Sequence, residues 1–149
     1  MTKDYKELFK ALSDSLDLFI REVHMHNLKD MATDEWSVKD ELSHISFWHT
    51  YYAKNYESSA SGTTPFVFKG SSTRNRESVR KLRHYSRKEL INKLNRAQIS
   101  LYESIVIKKV PQMTYTVGRE YATDNFLDMI TRHIQRHTLQ VRRSKRIKA

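Results

Sequence analysis

The sequence predicts an all-α protein, a four-helix bundle with one short additional helix. Apolar residues recur at steps of three and four along four long segments, which is the spacing of amphipathic helices. The 149 residues include only three glycines and two prolines, whereas an all-β fold needs more of both for its turns. This length is typical of one domain, residues 1–149, which can bury a core without crosslinks.

The first helix is predicted over about Asp4–Asn27. Its apolar face consists of Leu8, Leu12, Leu16, Phe19 and Val23. The stretch Lys29–Glu35 is polar and has no helical period, so it is predicted to be a connection.

A second helix is predicted to start at Ser37. The segment Ser37–Asp40 has the pattern of a capping box, and Trp36 comes just before it. The apolar face comprises Val38, Leu42, Ile45, Trp48 or His49, and Tyr52. The helix is expected to fade near Ser58–Gly62, whose composition is typical of a loop.

The middle of the chain predicts a loop followed by two helices. Thr63–Ser72 contains Pro65 and Gly70, and its apolar residues 66–68 fit either a buried loop or a very short strand. A short basic helix is expected over about Arg74–His84. A second capping box, residues 86–89, opens a longer helix that should end before Pro111.

The last helix follows a predicted connection over Gln112–Tyr121. Either Thr123 or Asp124 can cap it. One face carries Phe126, Ile130, His133, His137 and Gln140. Apolar neighbours on this face indicate that the two histidines point into the bundle.

His133 and His137 are four residues apart and therefore lie one above the other on a helix, where two imidazoles can hold one metal ion. Such a pair alone is weak evidence, because histidine pairs also occur as ordinary polar packing. A third ligand has to come from another helix, and His44, in the middle of the second helix, is favoured over His49. For the remaining histidines, His24, His26 and His84, an ordinary polar position is expected. The absence of cysteine excludes disulfides, thiolate-bound metals and thiol nucleophiles.

Two segments resemble the motifs of DinB/YfiT-like proteins. Trp36–Trp48 is similar to their second-helix motif, and Met129–Gln140 is similar to their last-helix motif with two histidines four apart. The middle of the chain resembles the ClbS/DfsB branch of that superfamily, through residues 75–79, 85–90 and 115–116. The resemblance implies a bundle with DinB-like topology in which His44, His133 and His137 bind one divalent ion, with zinc, nickel, manganese and iron all left open.

A three-histidine site leaves the charge of the ion intact and acidifies bound water, so the expected activity is that of a metal-dependent hydrolase acting on a small molecule through a metal-bound water. The ClbS/DfsB resemblance implies a role in detoxification or self-protection, and relatives in the superfamily make a thiol-dependent transferase the second expectation.

Three further residues are candidates for the site. Glu41, one turn before His44, is either a ligand-orienting or catalytic carboxylate or an acidic residue stabilised by the helix start. Trp48 and Tyr51 either wall a substrate pocket or simply pack in the core.

The charge distribution supports a competing interpretation. Residues 1–60 carry seven Lys/Arg and eleven Asp/Glu, a net of −4, whereas residues 61–149 carry twenty and six, a net of +14. A non-enzymatic nucleic-acid-binding or small-molecule-binding helical protein is therefore the alternative. Nucleic acid is not favoured, because the basic tail, residues 142–149, has no aromatic residues for stacking on bases.

No secretory signal or spanning segment is visible in the sequence, so a cytoplasmic location without a membrane partner is expected, and a homodimer fits a bundle of this type.

Overall fold

A computed structural model describes residues 4–146, and in these the chain forms a helical bundle. The bundle helices are α1 (Tyr5–His24), α2 (Val38–Ala60), α4 (Arg87–Tyr102) and α5 (Thr123–Arg142), and the short additional helix is α3 (Ser72–Lys81). Helix α1 packs chiefly against α5, and α2 packs chiefly against α4. The predicted fold class is confirmed. Residues 1–3 and 147–149, the latter being the end of the predicted basic tail, lie outside the described residues.

The starts of three helices follow from their capping residues. The Asp4 carboxylate accepts a hydrogen bond from the Lys6 amide at 3.1 Å. Ser37 and Ser86 each form the predicted capping box, with Asp40 and Glu89 as the respective partners. Each box satisfies backbone N–H groups that a helix start leaves without partners, so these sequence signals fix where α2 and α4 begin.

The predicted long helix before Pro111 ends in a different geometry. After α4 the chain widens into a π-helical turn, Glu103–Ile107. Lys109 then adopts a φ of 56°, in the left-handed region that residues other than glycine rarely occupy. The helical segment therefore ends before Pro111, through the wider π-helical turn and the left-handed conformation of Lys109.

The predicted connection over 112–121 contains regular structure that the sequence did not reveal, an antiparallel hairpin of β1 (Gln112–Thr116) and β2 (Arg119–Ala122). Gly118, at a φ of 79°, makes the tight turn. The register shifts between Thr114 and Thr116, so Tyr115 lies in a bulge. Helix α2 holds the hairpin through side chains that donate to its carbonyl groups, which is a tertiary effect that the local sequence does not reveal. These bonds run from Asn55 Nδ2 to the Thr114 carbonyl at 3.0 Å and from the Tyr51 hydroxyl to the Tyr115 carbonyl at 2.7 Å.

The predicted capping of the last helix by Thr123 or Asp124 was wrong. The N-cap is Ala122, with no side-chain capping bond. Thr123 is the first helical residue, and its hydroxyl donates to the Val110 carbonyl at 2.7 Å and contacts the Tyr56 hydroxyl at 3.0 Å. The side chain is therefore used to tie α5 to the core.

Residues 63–71 form an irregular, partly exposed loop, so of the two predicted alternatives the short strand is excluded. Phe68 stacks on the Tyr51 ring with centroids 4.6 Å apart, whereas Phe66 is 73% exposed. None of the described helices is both long and apolar enough to cross a membrane.

Candidate metal centre

Three histidines from two helices meet inside the bundle. His44 comes from α2, and His133 and His137 come from α5. One ring nitrogen of each lies within 4.8 Å of the other two. The Nε2 atoms of His44 and His133 are 3.3 Å apart. The fold therefore brings together residues that are 89 positions apart in the sequence.

Glu41 stands behind His137, on the side away from the other two rings. Its carboxylate accepts a hydrogen bond from His137 Nδ1, and its side chain has no exposed surface. The amide of Gln140, with its nitrogen turned toward the carboxylate, donates to Glu41 as well. This pairing leaves the Nε2 lone pair of His137 free to face the cluster.

Ser78, from α3, fixes His44 in the same way. Its hydroxyl donates to the Asn75 carbonyl at 2.6 Å, so its oxygen is left to accept the Nδ1 proton of His44 at 3.2 Å. His44 then presents an unprotonated Nε2. Two of the three rings are thus held, by partners on their far sides, in the tautomer that a metal ligand requires.

The protein environment keeps His44 and His133 neutral. Burial, reinforced by the nearby His137 and His133, lowers the pKa of His44 to about 2. Burial, reinforced by His137 and Arg136, lowers the pKa of His133 to about 4. Neutral imidazole is the form that binds metal, so neither ring has to lose a proton to bind an ion at neutral pH.

The donor set fits a divalent transition metal. Bonds of about 2.05 Å in a tetrahedron place two ligand nitrogens roughly 3.3 Å apart, which is the observed separation of His44 and His133 Nε2. Without an ion, the lone pair of His44 Nε2 points at the ring of His133. The buried carboxylate of Glu41 has the His137 imidazole and the Gln140 amide as its partners. A cation bound on the opposite side of that imidazole would further stabilise the negative charge of the carboxylate. Three imidazoles suit zinc, nickel, iron and copper.

Trp36 covers one side of the cluster. Its ring is stacked on that of His137, with centroids 6.3 Å apart and planes at 18°. The centroids of the Trp36 and His44 rings are 4.8 Å apart. Because Trp36 immediately precedes the capping box of α2, the start of that helix also sets the position of this ring.

The cluster lies at a cavity of about 310 Å³. The described residues that line it are Trp36, His44, Trp48, Tyr52, Asn75, Tyr115, Arg119, Tyr121, Met129, Ile130, His133 and His137. Larger surface depressions, of about 500, 670 and 750 Å³, contain none of the three histidines. The volume and the aromatic walls of the histidine cavity suit a small organic molecule.

The other candidate site residues occupy distinct positions. Trp48 lines the cavity and stacks on Tyr115 at 5.6 Å. Tyr51 does not line it, because its hydroxyl bonds the hairpin and accepts from the Phe68 amide at 3.1 Å. Glu41 lies behind His137 and does not line it either.

The remaining histidines do not join the cluster. His49, the second choice for a third ligand, is buried and donates through Nε2 to Gln98 at 2.7 Å, toward α4. His26 contacts Ser144 at 2.9 Å, and both His24 and His84 are exposed.

Sequence reasoning did not assign roles to three residues that shape the site. Ser78 orients His44, and Asn75 and Arg119 line the cavity. The indole N–H of Trp48 donates to Asn75 Oδ1 at 2.9 Å, which turns the Asn75 NH₂ group away from the indole. Asn75 and Ser78 lie in the segment 75–79 that resembles the ClbS/DfsB branch, but that resemblance gave them no role, and no signal marks Arg119, because all three reach the site through the packing of α3 and the hairpin. Gln140 was placed on the histidine face, and its spacing three residues after His137 is the signal for its role.

Comparison with known proteins gives a likeness in structure without one in sequence. No protein-family model matches this chain, and no curated protein sequence matches it. The chain is similar to the crystal structure of the mycothiol-dependent maleylpyruvate isomerase, with a TM-score of 0.76 and 12% identity over 93% of this chain. It is similar also to a histidine-to-alanine variant of that enzyme, with a TM-score of 0.74 and 11% identity over 93% of this chain. In both cases this chain spans 61% of the length of the other protein. At this identity the likeness establishes the DinB-like fold.

Proposed function

We propose that this protein is a metal-dependent enzyme that acts on a small organic molecule, and that it is a hydrolase. The observation that carries the proposal is the convergence of three imidazoles, two of them oriented from behind, on one point of an aromatic cavity. His44, His133 and His137 would hold one divalent ion. When bound, such an ion supplies acidification of a coordinated water or thiol and polarisation of a substrate oxygen.

The residues around the histidines have separate roles in this proposal. Glu41 and Ser78 are positioning residues, since each contacts a ligand ring on its far side. Asn75 contributes an NH₂ group on the cavity wall, where it can donate to negative charge that develops on the substrate. No aspartate or glutamate is among the described residues that line the cavity. This supports an orienting role for Glu41 over the catalytic base that the sequence left open.

A thiol-dependent transfer or isomerisation is the second candidate. The two similar crystal structures are of an enzyme named as mycothiol-dependent, and this chain shares their fold. Because the chain contains no cysteine, the thiol would have to be a small-molecule cosubstrate. Either reaction is compatible with a protective role, by destroying or by modifying a reactive compound.

Metal analysis of protein purified without chelators tests the central part of the proposal. We expect about one equivalent of metal per chain, and its loss in each of His44→Ala, His133→Ala and His137→Ala. His24→Ala, which removes an exposed histidine of α1, is the matched control and should keep the metal.

Glu41→Gln should fold and bind metal about 10–100-fold more weakly, because it loses the charge behind His137. A chain that is metal-free as purified and binds no added zinc, nickel or manganese would overturn the proposal. For the reaction class, loaded protein is assayed on ester, lactone and epoxide panels with and without mycothiol. Turnover without thiol supports the hydrolase, and turnover only with thiol selects the second candidate.

A further inference from the structure

Arg119 is the one charged side chain, apart from the histidines, among the described residues that line the cavity. It follows directly after the Gly118 turn, at the first position of β2. The hairpin therefore places a guanidinium group on the cavity wall that the bundle helices alone would not supply.

Two tyrosines hold the Arg119 side chain in place. Its Nη2 donates to the Tyr121 hydroxyl at 3.1 Å, and its Cζ lies 5.5 Å from the centre of the Tyr115 ring. Both tyrosines line the cavity as well. These contacts restrain the guanidinium without neutralising its charge.

The charge of Arg119 also lacks an internal counterion. Within residues 4–146, no carboxylate oxygen lies within 4.0 Å of its guanidinium nitrogens. Arg74, on the neighbouring helix α3, differs in this respect, because it pairs with Glu77 at 2.6 Å while it lies over the Phe68 ring. Arg119 therefore has donors and positive charge available for a ligand, and Arg74 is already engaged.

We propose that Arg119 binds a carboxylate of the substrate and so directs the rest of the molecule toward His44, His133 and His137. This inference rests on the proposed function, whose substrate class it specifies as small, flat carboxylates. A guanidinium has five N–H donors and Tyr121 accepts from one, so an edge remains for two parallel bonds to a carboxylate. Aromatic side chains, Trp48 and Tyr115 among them, make up much of the cavity wall and suit a flat ligand, and a volume of about 310 Å³ is at the small end for ligand sites.

The anchor can be tested by direct binding with benzoate as the probe and benzamide as its neutral isostere. Affinity is measured by calorimetry or by tryptophan fluorescence on wild type, Arg119→Gln, Arg119→Lys and Arg96→Gln. Arg96 is an exposed arginine of α4 that does not line this cavity, so its variant is matched in charge. Each protein is measured after chelation and after loading with zinc.

We expect wild type to prefer benzoate over benzamide, and Arg119→Gln to lose at least tenfold in benzoate affinity with little change for benzamide. Arg119→Lys should recover part of the affinity, because it restores the charge without the paired donors. Arg96→Gln should behave as wild type.

A wild type without preference for benzoate, or an Arg119→Gln variant that binds it as wild type does, would overturn the anchor. Benzoate binding that needs zinc and ignores Arg119 would also overturn it, since the carboxylate would then bind the ion, and the proposed function would stand. A loss in Arg119→Gln that persists in chelated protein supports the anchor even if metal analysis refutes the enzyme.

Discussion

Glu41 shows how strongly a single residue in this molecule depends on its surroundings. A carboxylate with no exposed surface is costly unless its oxygens are paired. Here the pairing comes from His137, 96 positions later, and from Gln140, which stands beside that histidine on α5. The buried acid therefore makes sense only as part of the histidine site.

His49 carries a second buried polar contact, and it predicts a pH dependence of stability. Burial lowers the pKa of His49 to about 4, partly opposed by the hydrogen bond to Gln98, whereas in an unfolded chain the pKa is near 6.5. Below pH 6.5 the unfolded chain takes up a proton that the folded chain refuses, so stability falls as the pH drops from 6.5 to about 4 and levels off below. The contribution is up to about 3 kcal/mol.

The measurement is urea denaturation at pH 7.5, 6, 5 and 4 on chelated wild type and His49→Gln. We expect the variant to lose less stability over this range, since it has no ring to protonate. Chelation removes the proton uptake linked to metal binding. Parallel pH curves for the two proteins would show that His49 does not titrate in this way.

At the scale of the element, helix α1 is held by one face. Its capping by Asp4 defines the start, and its apolar spacing directs Leu12 and Phe19 into the core, where both are fully buried. Leu18, on the same helix, is 45% exposed. The helix contributes no ligand, but it packs along α5, which carries His133 and His137.

This difference predicts unequal costs for two chemically identical substitutions. Leu12→Ala should lower the free energy of unfolding by about 2–5 kcal/mol, because it leaves a cavity in a packed core. Leu18→Ala should cost less than about 1 kcal/mol, because nearly half of this side chain is already in water and its removal leaves no cavity in the core. Both are measured by urea denaturation at neutral pH. Equal losses would mean that α1 is not seated as described.

The hairpin illustrates the opposite relation between an element and its sequence. Its strands have five and four residues, and isolated two-stranded hairpins are marginal in water. Bonds from Tyr51 and Asn55 of α2 fix it to the bundle. Tyr51 was a candidate for the pocket wall. Instead it contributes to the cavity indirectly, because its hydroxyl binds the strand that carries Tyr115.

At the scale of the whole molecule, part of the +14 charge of residues 61–149 is neutralised by ion pairs. Arg74 pairs with Glu77, Arg132 with Asp128 at 3.1 Å, and Arg142 with Glu22 at 2.9 Å. Arg142 belongs to the basic tail, and its partner lies on α1 in the acidic half. The two halves of the sequence thus meet in space.

These pairings predict weak, salt-sensitive binding to nucleic acid. For a random 20-base-pair duplex in 150 mM salt, we expect a Kd above about 1 µM, with affinity falling steeply as salt rises. Fluorescence anisotropy at several salt concentrations measures this. A nanomolar Kd for this duplex at 150 mM salt would instead favour the nucleic-acid-binding alternative.

The sequence by itself determined the helices, their starts at Ser37 and Ser86, and the pairing of His133 with His137, because periodicity, caps and helical spacing act within a few residues. Thr123 shows the limit of such signals, since a residue that looked like a cap is used to bond the core. The candidate set of three ligands was completed by resemblance to a family, and in the structure one ring nitrogen of each histidine lies within 4.8 Å of the other two.

Only the tertiary structure decided what surrounds those histidines. Ser78 orients His44 because α3 packs there, and Arg119 reaches the cavity because α2 bonds the hairpin. Helix and capping signals depend on neighbours in the chain. The hydrogen bonds that orient the imidazole rings, and the residues that form the cavity wall, depend on contacts between distant segments. Those contacts exist only once the whole bundle is packed.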